Sequence, residues 1–172
     1  MAQDLVIYCV VHQPRRLKLP AQPIPKSATP EEIEHCLFDE RLNEEYFHKV
    51  ANTCYYPATE MFLDVASAGL KLSVAYSVSA LKQAEAWDSE LYRLLHELAA
   101  HPNIELVNVE PYHTFLPLVD LRMFCSRMSW ARDRFEQEFG KRPLVTDTTE
   151  MLMSNAIYHA LDRVGFQGAF LD

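Results

Sequence analysis

The chain has 172 residues, 49% of them apolar, and a formal charge of −8 from 16 basic and 24 acidic side chains. That length and apolar share fit one domain with a sizeable core, and the acidity argues against a nucleic-acid partner. No apolar run approaches the ~20 residues of a membrane span, and Met1-Ala2-Gln3-Asp4 lacks the basic start of a secretory signal. Cys9, Cys36, Cys54 and Cys125 are scattered without C-x-x-C spacing, which predicts buried, reduced thiols and a cytoplasmic location.

Residues 5–11, Leu-Val-Ile-Tyr-Cys-Val-Val, form a continuous apolar run and predict a strand buried on both faces. Pro14, Pro20, Pro23, Pro25 and Pro30 then mark a long irregular loop over 15–30. Leu42, Tyr46, Val50 and Cys54 recur at every fourth position, predicting a helix over 39–68 that Pro57 breaks or restarts. A second strand is predicted over 72–78, with a helix starting near Ser79. Asp88 is a good N-cap for a helix through Ala100, with Leu91, Leu94, Leu95 and Leu98 as its buried stripe.

Residues 104–109 predict a third strand, followed by Glu110-Pro111-Tyr112-His113. Residues 115–139 have helical period and end at Gly140. A short fourth strand over 143–146 precedes Asp147-Thr148-Thr149-Glu150; Ser154 caps a helix through Val164, stopped by Gly165, and a fifth strand starts at Gly168. Strictly alternating strands and helices mean a parallel sheet with right-handed crossovers. Five strands suit either an open sheet or part of a barrel, and a chain ending at a strand favours the barrel.

Parallel α/β folds place their chemistry at the C-terminal ends of strands. Those ends carry His12 and Gln13, then Ser77 and Ser79, then Glu110, Tyr112 and His113, and finally Asp147 to Glu150. A carboxylate such as Glu150 can attack an acetal carbon when a second carboxyl acts as general acid. It can equally be a first-turn glutamate favoured by a helix N-terminus. His12, His113, Glu110 and Glu150 are also a conceivable metal set, although no H-x-x-x-H spacing supports one. Four unclustered glycines leave no phosphate-binding loop.

The ordered motifs resemble glycoside hydrolase family 57, the amylase and glucanotransferase family with an incomplete (β/α)7 barrel. Val10-Val11-His12-Gln13-Pro14 resembles its first motif, and Phe38-Asp39-Glu40-Arg41-Leu42-Asn43 with Lys49-Val50-Ala51-Asn52-Thr53-Cys54-Tyr55-Tyr56-Pro57-Ala58 resembles the following stretch. Glu110-Pro111-Tyr112-His113 is similar to the third-strand motif, and Thr148-Thr149-Glu150-Met151 to the nucleophile motif Arg-Asn-Thr-Glu-Leu. The resemblance implies a truncated TIM-like barrel acting on α-glucan or oligosaccharide, with Glu150 as the retaining nucleophile and His12, Gln13, Glu110, Tyr112 and His113 lining the sugar site. It implies no cofactor and no metal. Asp147 and Thr148 stand where the motif has arginine and asparagine, and a carboxylate at 147 predicts like-charge repulsion with Glu150. The family's acid/base aspartate belongs to a later motif. The expectation is therefore the N-terminal portion of a catalytic domain, inactive alone, whose partner is the missing C-terminal half. The alternatives are a degenerate carbohydrate-binding protein and a metal-dependent polysaccharide deacetylase.

Overall fold

The computed structural model describes residues 5–171. The elements run β1 (Tyr8–Val11), α1 (Pro30–Leu37), α2 (Glu40–Val50), a π-helical turn (Ala51–Tyr55), α3 (Tyr56–Ser67), β2 (Leu72–Tyr76), α4 (Val78–Trp87), α5 (Ser89–Ala100), β3 (Ile104–Asn108), α6 (Leu116–Val119), α7 (Leu121–Phe139), β4 (Val145–Thr146), a 3-10 turn (Thr149–Met151), α8 (Asn155–Val164) and β5 (Gly168–Ala169). All neighbouring strands are parallel, and their spatial order is their sequence order, β1-β2-β3-β4-β5. A doubly wound sheet reverses order at a switch point; this one does not. Crossovers of one hand then keep the helices on one face and let the sheet curl, as in an incomplete barrel.

Strand alternation separates the two faces. Leu72, Val74, Tyr76, Ile104 and Leu106 point outward into the main core with Leu81, Leu91, Leu95, Leu98 and Phe135 of the helices. The inner face carries Ala75, Val107 and Val109, covered by Tyr8 and Phe170. The rings of Tyr8 and Phe170 stack 4.2 Å apart at 9°, joining the sheet's first strand to the residue after its last. A third cluster (Phe124, Met128, Ile157, Leu161 and Phe166) packs α7 on α8. Arg132 is buried between them, donating to Pro143 O and Val164 O at 2.8 Å each. Gly165 ends α8 at φ 92°, left-handed backbone that favours glycine, and a Cβ there would displace the Arg132 guanidinium, whose Nη1 lies 2.9 Å away.

Several expectations change. The first strand is shorter than 5–11 and lies at the sheet edge, so Val10 is 38% exposed rather than buried on both faces. Of the two outcomes expected at Pro57, the restart is found: the π turn leads into α3, whose first turn holds Pro57, where a missing N–H and a crowded carbonyl four residues back are accommodated. The 115–139 helix divides at Asp120, whose extended backbone and side-chain bond to Met123 N start α7 afresh. The irregular 15–30 stretch is pinned by Lys18 N to Leu37 O (2.8 Å) and Asp39 N to Arg16 O (3.0 Å), and Thr29 and Glu32 form a capping box for α1. The cysteines are free, but none is fully buried: Cys9 lies on the edge strand, Cys54 on the π turn's exposed side, and Cys36 and Cys125 are partly covered on helices. Among the described residues no helix is long and apolar enough to cross a membrane.

Leu95 sits at the centre of the outer core at 1% exposure. Leu95→Ala is expected to cost about 2–5 kcal/mol by urea unfolding, against roughly 0.5 kcal/mol or less for Val119→Ala on the surface.

Candidate active site

Tyr8, Val10 and His12 alternate along and past β1, so all three face the curl of the sheet. His12 Nδ1 is hydrogen-bonded to Ser77 Oγ at 2.9 Å, and the same Oγ accepts from Ala80 N as the cap of α4. The His12 ring stacks on His113, with centroids 4.7 Å apart and planes 25° apart. Burial, reinforced by the neighbouring His113, lowers the His12 pKa from its ordinary 6.5 to about 4. His12 is therefore a neutral imidazole at physiological pH.

The β3 end is organised by Glu110, which has no exposed surface. Its Oε2 accepts from Tyr112 N at 3.0 Å and Thr114 N at 2.7 Å, and its Oε1 from Arg127 Nη1 at 3.3 Å. These bonds hold a tight loop in which His113 has φ 56°. The β4 end is set by Asp147 N donating to Asn108 O at 2.8 Å, and by Thr149 Oγ1 donating to Thr114 O at 2.9 Å. Asp147 is 4% exposed; its Oδ2 accepts from the Tyr8 hydroxyl at 3.1 Å, while its Oδ1 has no partner among the described residues. Burial raises the Asp147 pKa; the Tyr8 bond, the Thr148 backbone and His113 oppose that rise, and Glu150 adds to it. Burial is the largest of the causes acting on Asp147 and the neighbouring Glu150 charge the smallest.

These ends enclose a cavity of about 400 Å³ lined by Val10, His12, His113, Asp147, Glu150 and Met151. His113, Glu150 and Met151 are the non-glycine residues with positive φ among the described ones, at 56°, 55° and 52°. All three line this cavity. Left-handed backbone at such residues costs about 1–3 kcal/mol each and persists where the surroundings impose it, commonly at functional sites. Glu150 is exposed at the rim, in left-handed backbone (φ 55°, ψ 30°), whereas an ordinary first-turn glutamate has right-handed helical backbone.

Of the sequence-derived set, His12, His113 and Glu150 converge on the cavity. Gln13 and Glu110 do not line it. Gln13 is buried and its Oε1 accepts from Tyr55 at 2.7 Å; Glu110 is spent on its own loop. Tyr112 lines a neighbouring cleft. Sequence reasoning overlooked Tyr8 and Val10, which two-residue alternation back from His12 would have found. It also overlooked Tyr55, whose contact depends on the π turn and has no signal in spacing. Among the described residues no group of three or more His, Cys, Asp or Glu is arranged to hold a metal.

A singly wound parallel β/α fold with a strained, polar cavity at its strand C-termini defines a barrel-type site. The chain matches the model of glycosyl hydrolase family 57 over residues 6–172, and it belongs to that family. It is 28% identical over 137 residues to a "Putative alpha-amylase" of Methanocaldococcus jannaschii, covering 78% of this chain and 29% of that protein. The chain thus spans less than a third of the curated relative it matches. In structure it is similar to a 4-alpha-glucanotransferase from Thermococcus litoralis, with TM-score 0.72 and 16% identity over 97% of this chain and 22% of that one. A peptidoglycan deacetylase from Bacillus subtilis (TM-score 0.53, 14% identity, 67% of this chain and 52% of that one) shares the fold alone.

Two pH effects follow from burial. The folded His12 pKa lies below its ordinary value, so the unfolded chain protonates first as pH falls from 6.5 towards about 4. Stability is expected to decline across that window, and His12→Gln to flatten the decline in urea-unfolding curves. The folded Asp147 pKa is raised, so ionised Asp147 costs stability at neutral pH and that cost vanishes once it is protonated. Asp147→Asn is expected to equal or exceed the parent in stability near pH 7, with the difference closing in acid.

Proposed function

We propose that the cavity is the nucleophile side of a retaining site acting on α-glucosidic bonds, with Glu150 as the nucleophile and His12 and His113 in contact with the sugar. The single observation that carries the reading is the coincidence of left-handed Glu150, Met151 and His113 with the cavity that His12 enters. Strain of that kind at one rim is preorganisation looking for a ligand. Glu150 is the exposed carboxyl of the pair, whereas Asp147 is enclosed and bonded to Tyr8.

A retaining mechanism needs a second carboxyl ~5–5.5 Å from the first to protonate the leaving oxygen. We assign that group to sequence outside the described residues, so the described part turns over natural glucan poorly without a complementing segment. Loss of a general acid alone lowers rates about 10²–10⁴-fold. The free, unpaired cysteines fit a reducing compartment such as the cytoplasm.

A fluorinated α-glucosyl fluoride tests Glu150 without needing the acid. A Glu150 carboxylate oxygen bonds to the anomeric carbon, the C–F bond breaks, and fluoride leaves with the electron pair and no proton. The expected outcome is one fluoroglucosyl group on the Glu150 peptide by mass spectrometry, absent in Glu150→Gln. A label on another residue sinks the assignment. Saccharide binding with no label at all favours the carbohydrate-binding alternative.

A further inference from the structure

Asp147 is the residue of the site that the nucleophile chemistry leaves unused. It stands where the nucleophile motif has arginine, so the charge at that position is reversed. It is 4% exposed, yet it lines the cavity of about 400 Å³ beside His12, His113 and Glu150. Its Oδ2 accepts from the Tyr8 hydroxyl at 3.1 Å, and its Oδ1 has no partner among the described residues. Among those residues no lysine or arginine lines the cavity.

We propose that Asp147 makes the cavity selective for an amino sugar, whose protonated amino group beside the anomeric carbon, at C2, pairs with the orphaned carboxylate. This rests on the carbohydrate reading of the cavity and deepens it by naming the ligand's charge. Three observations support it. First, buried polar groups are ordinarily satisfied and buried charges ordinarily paired. Asp147 has one neutral donor, Tyr8, and no counter-charge from lysine or arginine in the cavity wall. An ammonium supplies both what is missing: a positive charge, and donors for the free oxygen. A sugar hydroxyl supplies a donor alone.

Second, the cavity's own groups leave it short of positive charge. Asp147 and Glu150 are its carboxyls, and His12 is neutral at physiological pH because burial, reinforced by His113, lowers its pKa to about 4. His113 is the wall residue whose charge favours ionised Asp147. Burial makes that ionised form costly in the free chain, and a bound ammonium offsets the cost. Third, Asp147 lies three residues before Glu150 at the same strand end, and the Glu150 charge acts on it. A sugar whose anomeric carbon meets Glu150 therefore turns its C2 substituent towards Asp147. Positive charge builds at the anomeric carbon in the transition state. An unpaired ammonium beside it would oppose that build-up, and pairing with Asp147 relieves the opposition.

Three probes test this: methyl α-glucoside, methyl α-glucosaminide, and methyl N-acetyl-α-glucosaminide, which keeps a C2 nitrogen and loses its charge. Each is titrated calorimetrically into the full chain at about pH 7, where an amino group of ordinary pKa is mostly charged and His12 is not. The glucosaminide is expected to bind at least about tenfold tighter than either neutral probe. Most of that preference should survive about 0.5 M salt, because a buried pair is screened little while diffuse attraction to a chain of charge −8 is lost. Asp147→Asn is expected to erase the preference without lowering the melting temperature. Equal affinities for the three probes overturn the amino-sugar selectivity and leave the carbohydrate reading of the cavity standing. So does a preference that salt abolishes or that Asp147→Asn leaves intact. No binding of any probe overturns both.

Discussion

Glu110 accepts two backbone N–H groups of its own loop and one N–H of Arg127 while having no exposed surface, and the cavity's geometry descends from those bonds. The loop they close forces His113 into left-handed backbone. That strain costs about 1–3 kcal/mol. Hydrogen bonds to a charged acceptor contribute about 1.5–3 kcal/mol each, so two or three of them outweigh it. His113 then stacks on His12, which Ser77 holds from the β2 end, and Thr114 O receives the Thr149 hydroxyl that fixes the turn bearing Glu150. Three strand ends are thus tied to one another through one loop. Removing either charge of the Glu110–Arg127 pair would leave the other unpaired, and for the buried Glu110 side that penalty is large.

The fold around this loop explains why the site lies where it does. Sequential parallel order puts every strand C-terminus on the same side, and the inner face is filled by small residues, Ala75 and Val107, that leave room for Tyr8 and Phe170. Tyr8 serves two ends at once: its ring closes the curl against Phe170 and its hydroxyl reaches Asp147. Burial pushes the Tyr8 hydroxyl's pKa up, so it stays a donor. Asp147 is consequently held in the cavity wall by the Tyr8 hydroxyl.

Much of this was legible in the chain itself. Apolar period placed all five strands and most helices because the outer core obeys strict alternation, with Leu72, Val74 and Tyr76 against Leu91, Leu95 and Leu98. The convergence of His12, His113 and Glu150 was legible because strand ends of a parallel fold must face one way. The uses of Gln13 and Glu110 were not. A polar residue after a strand reads the same whether it meets a ligand or satisfies its own backbone, and only the folded chain brings Tyr55 to Gln13 and two loop amides to Glu110. The π turn that delivers Tyr55 likewise leaves no mark beyond Pro57, which spacing alone reads as a break or a restart.

The central claim is that Glu110 holds His113 against His12, and the pH titration of the His12 ring by NMR tests it most directly. In the parent chain the ring is expected to titrate near pH 4, with the Tyr112 and Thr114 amides protected from exchange. In Glu110→Ala, with the β2 and β3 amides still protected, the account predicts faster exchange at 112 and 114 and a His12 pKa displaced towards 6.5. A His12 titration unmoved from the parent value, with those two amides still protected, would contradict it.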